Sequence, residues 1–304
     1  MSVDKPKLIV IIGPTASGKS ELAVWLAKKF PGEIISADSR QVYHGLDIGT
    51  GKINGRWQRR EDQRIYVYKN IPHHCIDFVS PKKTYTVAEF KERAKNAIKN
   101  ITSRGKIPII AGGTGFWIDT LVYDIHLPAV PPNWKLRRRL EKKSAKELLK
   151  ILKNLDPRRA QTVEPKNPRR LIRAIEIART IGKVPKIEKR TPYTTLWIGL
   201  KPPQAPLKQK VASRAKNMIK RGLVKETKKL LQGGISRKRV QELGFEYLNT
   251  LDYLENKISR EEFAERLIRG TLSYAKRQMT WFGKNRNIRW INTPDSAFLL
   301  AENF

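Results

Sequence analysis

The chain has 304 residues, with 62 Lys+Arg against 28 Asp+Glu, a formal charge of +34 and 39% hydrophobic residues. Such a surplus repels itself unless a polyanion offsets it, and it is concentrated: residues 131–240 hold 33 Lys+Arg and 7 Asp+Glu, which points to nucleic acid as the partner. No apolar run approaches the ~20 residues of a membrane span, no signal segment is expected, and the single cysteine, Cys75, excludes an internal disulfide and a Cys-based zinc site, so a cytoplasmic location is expected.

The pattern opens with an apolar strand at Leu8 to Ile12, the run Gly13-Pro14-Thr15-Ala16-Ser17-Gly18-Lys19-Ser20, and a helix from Lys19 to Phe30. The spacing Gly-x4-Gly-Lys-Ser lets backbone N–H groups curl around phosphate oxygens, places Lys19 against the outer phosphate and leaves the Ser20 hydroxyl for Mg2+. A di- or triphosphate is therefore an expected ligand. The next strand, Glu33 to Ser36, places Asp38 at a strand's carboxyl end beside that loop, where open parallel sheets bind ligands. A carboxylate there can hold magnesium, act as a general base, or cap a short helix.

Ile65 to Tyr68 reads as one strand of a hairpin. His73, His74, Cys75 and Asp77 are not expected to converge on a metal, because neighbours on an extended strand point to opposite faces. A short strand follows at Cys75 to Val79, then a helix from Val87 opened by the capping box Thr86–Glu89, then a strand from Ile107 to Ala111. The cluster Gly112-Gly113-Thr114-Gly115 lets backbone approach a ligand from the same edge of the sheet.

From Ile125 to Pro192 the pattern is helical alone, with a second capping box at Ser144–Glu147 and Pro- or Gly-containing segments at either end. Strand character resumes at Thr194 to Leu200, and helices run from about Leu207 through Phe282, interrupted near Gly233-Gly234, with a third box at Ser259–Glu262. The expected architecture is α/β: a P-loop NTPase-like parallel sheet with crossover helices over residues 1–124 and 193–304, and a small helical domain inserted over 125–192.

These residues carry a resemblance. Gly13 to Ser20, Ser36-Ala-Asp-Ser39, Tyr43 with Leu46 to Thr50, Pro72-His-His74 with Ile76-Asp77, Gly112 to Gly115, Asn167-Pro-Arg-Arg170 with Arg173, and Tyr274-Ala-Lys-Arg-Gln278 with Thr280-Trp-Phe282 are similar, in order, to the motif series of the tRNA dimethylallyltransferase family, from about Leu8 to Trp290. The resemblance implies transfer of a dimethylallyl group from its diphosphate to the exocyclic amine of the adenine 3′ of a tRNA anticodon. It implies Asp38 as general base, Thr15 and Lys19 on the diphosphate, and Arg214 assisting its departure. It further implies tRNA contacts by Asp38, Ser39, Arg40, Gln41, Thr114, Arg137, Arg169, Arg170, Leu171, Ile172, Arg173, Lys276, Arg277 and Gln278, and a short, bacterial-type monomer.

By residue type alone, Arg214 reads as a solvated helix arginine, and the stripe Tyr274, Arg277, Gln278, Trp281 serves core packing and substrate contact equally well. Three positions depart from the family pattern: Gly51 replaces the usual Ala, Trp117 the usual Tyr, and Phe245 the Tyr that commonly follows Gly244. The stretch Ile53 to Ile71 is longer than usual, with Trp57, Arg59, Arg60 and Arg64 in it. Three rivals are a nucleoside or nucleotide kinase, an adenylate dimethylallyltransferase, and a nucleic-acid-binding protein switched by nucleotide. The extent of the basic surface argues against the first two; the third leaves Asp38 and Gly112 to Gly115 without a purpose.

Overall fold

The computed structural model describes residues 5–60 and 63–304. β1 (Lys7–Ile12) is a continuous apolar run because both of its faces are covered: Leu8, Val10 and Ile12 enter one hydrophobic cluster, while Ile9 and Ile11 enter the other. The phosphate loop leads into α1 (Lys19–Lys29), and β2 (Gly32–Ala37) follows. β3 (Arg56–Arg60) and β4 (Gln63–Tyr68) pair antiparallel, Trp57 opposite Tyr66, as the hairpin expected around Ile65 to Tyr68.

β5 (Ile71–His74) precedes α2 (Val87–Ser103), β6 (Ile107–Gly112) and α3 (Gly115–Val122). The short strand expected at Cys75 to Val79 is displaced: the strand ends at His74, and Cys75 and Asp77 turn the chain with φ of 58° and 53°. Only an isolated bridge, Tyr43 with Val79, remains of that pairing. Asp77 instead anchors buried Lys52 at 2.6 Å and the Trp57 indole N–H at 2.9 Å. His73 and His74 part company, the first bonding the Ile71 carbonyl and the second Glu33.

Residues 125–190 form one compact unit and the remainder another. The smaller contains α4 (Trp134–Leu140), α5 (Ala145–Leu155), α6 (Pro157–Thr162) and α7 (Pro168–Ile181) around their own core of Leu140, Leu148, Leu152, Leu171 and Ile175. Its first turns are fixed by side-chain caps from Asn133, Ser144, Asp156 and Asn167, each accepting from an orphan backbone N–H.

The larger unit resumes with β7 (Thr194–Leu200), then α8 (Gln204–Lys220), α9 (Leu223–Gln232), α10 (Arg237–Leu243), α11 (Phe245–Leu254) and α12 (Arg260–Phe282). Of the three boxes, Thr86–Glu89 and Ser144–Glu147 are reciprocal. At α12 Ser259 caps the helix but Glu262 turns to Arg266 instead, a charge-assisted alternative one turn along. β8 (Ile288–Ile291) and α13 (Pro294–Glu302) close the chain, two elements too short to stand out by periodicity.

The sheet order is β3-β4-β5-β2-β6-β1-β7-β8, parallel from β5 to β8. β2, β6 and β1 are adjacent, so the segments leaving their carboxyl ends, which carry Asp38, Gly113 and the phosphate loop, emerge side by side.

Candidate active site

The phosphate loop has its expected strand–loop–helix setting, and Gly13, with φ of 151°, has no room for a side chain: a Cβ there would meet the Leu200 carbonyl at 2.8 Å. Lys19 Nζ donates to the Pro14 carbonyl at 2.6 Å. Burial lowers its pKa to about 8, against the pull of Asp38 and with a contribution from Arg214. Ser17 Oγ is buried without a hydrogen-bond partner.

Asp38 Oδ1 accepts from the backbone N–H groups of Arg40 at 2.9 Å and Gln41 at 3.4 Å, fixing the turn after β2. Those amides belong to a turn, so the helix-cap reading does not hold. Ser39 N–H donates to Thr114 Oγ1 at 3.0 Å, joining the turn to the glycine cluster, and Arg40 donates to the Glu242 carbonyl. Arg214, on α8, is no solvated arginine. Its guanidinium donates to the Thr50 carbonyl at 3.2 Å, and burial depresses its pKa while Glu246 and Asp38 support its charge.

Two cavities meet at these residues. The first, of about 330 Å³, is lined by Thr15, Lys19, Ser20, Ser36, Asp38, Gln41, Gly113 and Arg214 among others. The second, of about 400 Å³, is lined by Ser39, Arg40, Thr114, Phe245, Glu246, Tyr274 and Arg277. Thr15, Asp38, Thr50 and Arg214 line both. One cavity thus offers a phosphate cradle, the other an aromatic and polar chamber, with a carboxylate and a guanidinium between them.

The stripe on α12 divides. Gln278 is buried: its Oε1 accepts from the Thr15 amide at 2.8 Å and its Nε2 donates to the Gly113 carbonyl at 3.1 Å. Trp281 donates to Asp119 at 3.1 Å and packs where a Cβ on Gly115 would otherwise be. Gln278 is therefore an internal strut and not an exposed contact, whereas Lys276 and Arg277 stay exposed.

In the helical unit, Leu171 and Ile172 are core residues, 0% and 6% exposed, with their side chains inside the unit. Arg137 and Arg173 bind buried Glu176 at 2.7 and 2.5 Å, and Arg170 pairs with Glu164. Arg138, Arg139 and Arg169 are exposed.

The three departures have physical accounts. Gly51 takes φ of 60°, and a Cβ there would lie 2.1 Å from Arg214 Nη2, so glycine lets the guanidinium lie against the loop. Trp117 stacks on Phe90 at 4.5 Å in the core, and Phe245 packs on Gly270. Residue types alone did not flag Glu226 or Glu246. Glu226 accepts from the amides of Asp47, Ile48 and Gly49 and from the Tyr247 hydroxyl, holding the loop that carries Thr50 and Gly51.

Several known proteins are similar to this chain over most of its length. The IPP transferase family model matches residues 41–286. A tRNA dimethylallyltransferase of Anoxybacillus flavithermus is 39% identical, with 96% of this chain and 92% of that protein covered. A full-length tRNA isopentenylpyrophosphate transferase of Bacillus halodurans superposes with a TM-score of 0.71 at 35% identity, covering 99% of this chain and 95% of that one. A eukaryotic dimethylallyltransferase caught acting on tRNA gives 0.73 at 28% identity, over 94% of this chain and 74% of that one. A phosphate loop, a carboxylate turn and a glycine cluster on three adjacent strands, with near-complete coverage by these relatives, place the chain in the IPP transferase family.

Proposed function

We propose that this chain transfers a dimethylallyl group from dimethylallyl diphosphate to the exocyclic amine of the adenine 3′-adjacent to the anticodon in tRNA. Transfer of dimethylallyl to tRNA is the activity its family membership supports. The observation that carries the finer reading is the pair of cavities meeting at Thr15, Asp38 and Arg214.

In this reading the diphosphate lies in the first cavity, against the amides of Gly13 to Ser20, Lys19 and Arg214. The adenine, unstacked from its neighbours, enters the second. The amine lone pair forms the new C–N bond, the allylic C–O bond breaks, and its electron pair leaves with diphosphate. Asp38 takes the amine proton, a role typically worth ~10²–10⁴-fold. Charge builds on the departing diphosphate, so Lys19 and Arg214 favour the transition state over the ground state. Mg2+ fits as well: Ser20 and Asp38 present hard oxygen donors to the first cavity and would hold the ion, which would supply positive charge to the leaving diphosphate.

Exposed cations on the helical unit, Arg138, Arg139 and Arg169, together with Lys276 and Arg277 of the larger unit, are assigned to RNA phosphates. Action as a monomer is part of this reading, and tRNA as substrate supports a cytoplasmic site. No helix among the described residues is long and apolar enough to cross a membrane. The test is a matrix of donors and acceptors: dimethylallyl diphosphate or ATP with tRNA, AMP or a nucleoside. Product from the first donor with tRNA alone supports the reading, and a phosphorylated nucleoside overturns it.

A further inference from the structure

The geometry points to Glu246 as the residue that grips the acceptor base, holding the amino edge of the adenine opposite Asp38. This deepens the transferase reading and rests on it. Thr15, Asp38 and Arg214 line both cavities, as residues at a reaction centre should, but Glu246 lines only the second. Its place on the acceptor side separates it from the diphosphate machinery.

Glu246, half-buried in the cavity wall, also differs from the fully buried glutamates. Glu33 is held by Arg104, Lys106 and His74, Glu176 by Arg137 and Arg173, and Glu226 by three amides and a hydroxyl. Glu246 forms no ion pair among the described residues. Facing it are Arg214 from α8, Asp38 and Arg40 from the turn after β2, and Tyr274 and Arg277 from α12. Burial raises its pKa to about 7, against Arg214 and Arg40 and with Asp38 reinforcing the rise. Near neutral pH its protonated form is therefore well populated.

A protonated carboxyl presents an O–H donor beside a carbonyl acceptor, which matches an adenine ring nitrogen beside its amine N–H. The amine carries two hydrogens. One goes to the Glu246 carbonyl oxygen and stays on nitrogen; the other faces Asp38 and is removed as the C–N bond forms. Glu246 keeps its own proton throughout and turns the amine toward the allylic carbon. The competing structural role is a cap: its carboxylate accepts from its own backbone N–H in the first turn of α11, where the helix favours an anion.

The two roles diverge with pH. The experiment measures kcat/KM for tRNA at saturating dimethylallyl diphosphate over about pH 6 to 9, for the wild type, Glu246→Gln and Glu246→Ala. The amide of Gln mimics the protonated acid. Glu246→Gln should stay within about threefold of the wild type at pH 6.5 and lose the decline that the wild type shows as pH rises through about 7. Glu246→Ala should lose about tenfold or more in kcat/KM for tRNA, with the diphosphate affinity unchanged within about twofold. An unaltered pH profile in the Gln variant, or a fully active, folded Ala variant, overturns the assignment. If Glu246→Ala fails to fold, the Gln profile decides alone. A wild type that transfers nothing to tRNA would instead sink the transferase reading, so the two failures are distinct.

Discussion

Two glutamates, one in each unit, show how placement separates structural from chemical carboxylates. Glu176 in the helical unit accepts from the Asn133 amide and from Arg137 and Arg173; burial pushes its carboxyl up, but those donors outweigh it and hold it at about 2. Glu246 in the larger unit has cations nearby but none bonded, burial wins, and it sits at about 7. The same side chain is a fixed anion where donors saturate it and a titrating acid where they do not. Saturated acids hold helices together, and unsaturated ones in a cavity remain available to a ligand.

The largest expected effect lies on the chemical side. Asp38→Asn keeps an Oδ1 acceptor for the Arg40 amide, so the turn and tRNA binding should survive, while single-turnover dimethylallylation falls by at least ~10²-fold. Wild-type-like turnover in this variant would remove Asp38 from the chemistry.

On the structural side, Glu176→Ala strands Arg137 and Arg173 and should destabilise the helical unit by about 3 kcal/mol in urea unfolding. The carboxyl's pKa is lowered on folding, so its contribution is fully present above the unfolded value near 4.5 and fades as pH falls through about 2. The gap between wild type and variant should close over that window; a gap independent of pH would mean that the ion cluster is not its source.

Gly51→Ala probes the guanidinium between the cavities. Its Cβ would displace Arg214, and we expect about a tenfold loss in kcat/KM for dimethylallyl diphosphate, with a lowered melting temperature because φ of 60° strains alanine. Unchanged donor kinetics would show that Arg214 can shift without consequence. The smallest effect belongs to the exposed cations: Arg138, Arg139 and Arg169 to Ala together should weaken tRNA binding and flatten the salt slope by ~0.7–0.9 for each phosphate no longer neutralised, leaving donor affinity intact. Equal slopes would take these arginines off the RNA.

Much of the larger unit could be read before folding was considered, because its signals are local. A strand, a glycine-spaced loop and a helix occupy consecutive residues from Lys7 to Lys29, and the turn at Asp38 follows its own strand. What stayed hidden depends on distant partners. Nothing in Phe245-Glu-Tyr247 announces that Glu246 faces Asp38 across 208 positions, or that Tyr247 and Glu226 fasten the loop of Gly49. The motif around Arg169 to Arg173 was visible within a helical stretch, but not that Leu171 and Ile172 turn inward and Arg173 toward Glu176. Gln278, for which core packing and substrate contact weighed equally, is a bridge between two loops.

The hairpin of β3 and β4 has a consequence for the chain in a crowded solution. An eight-stranded sheet ends in two rows of unpaired backbone groups, each a template on which another copy could grow. Here one border strand reads Arg-Trp-Gln-Arg-Arg and the other is four residues long. Two copies meeting along the first border would set arginine rows against each other, and along the second there is little to grip. The charge of β3 at one border and the brevity of β8 at the other thus disfavour edge-to-edge growth of copies.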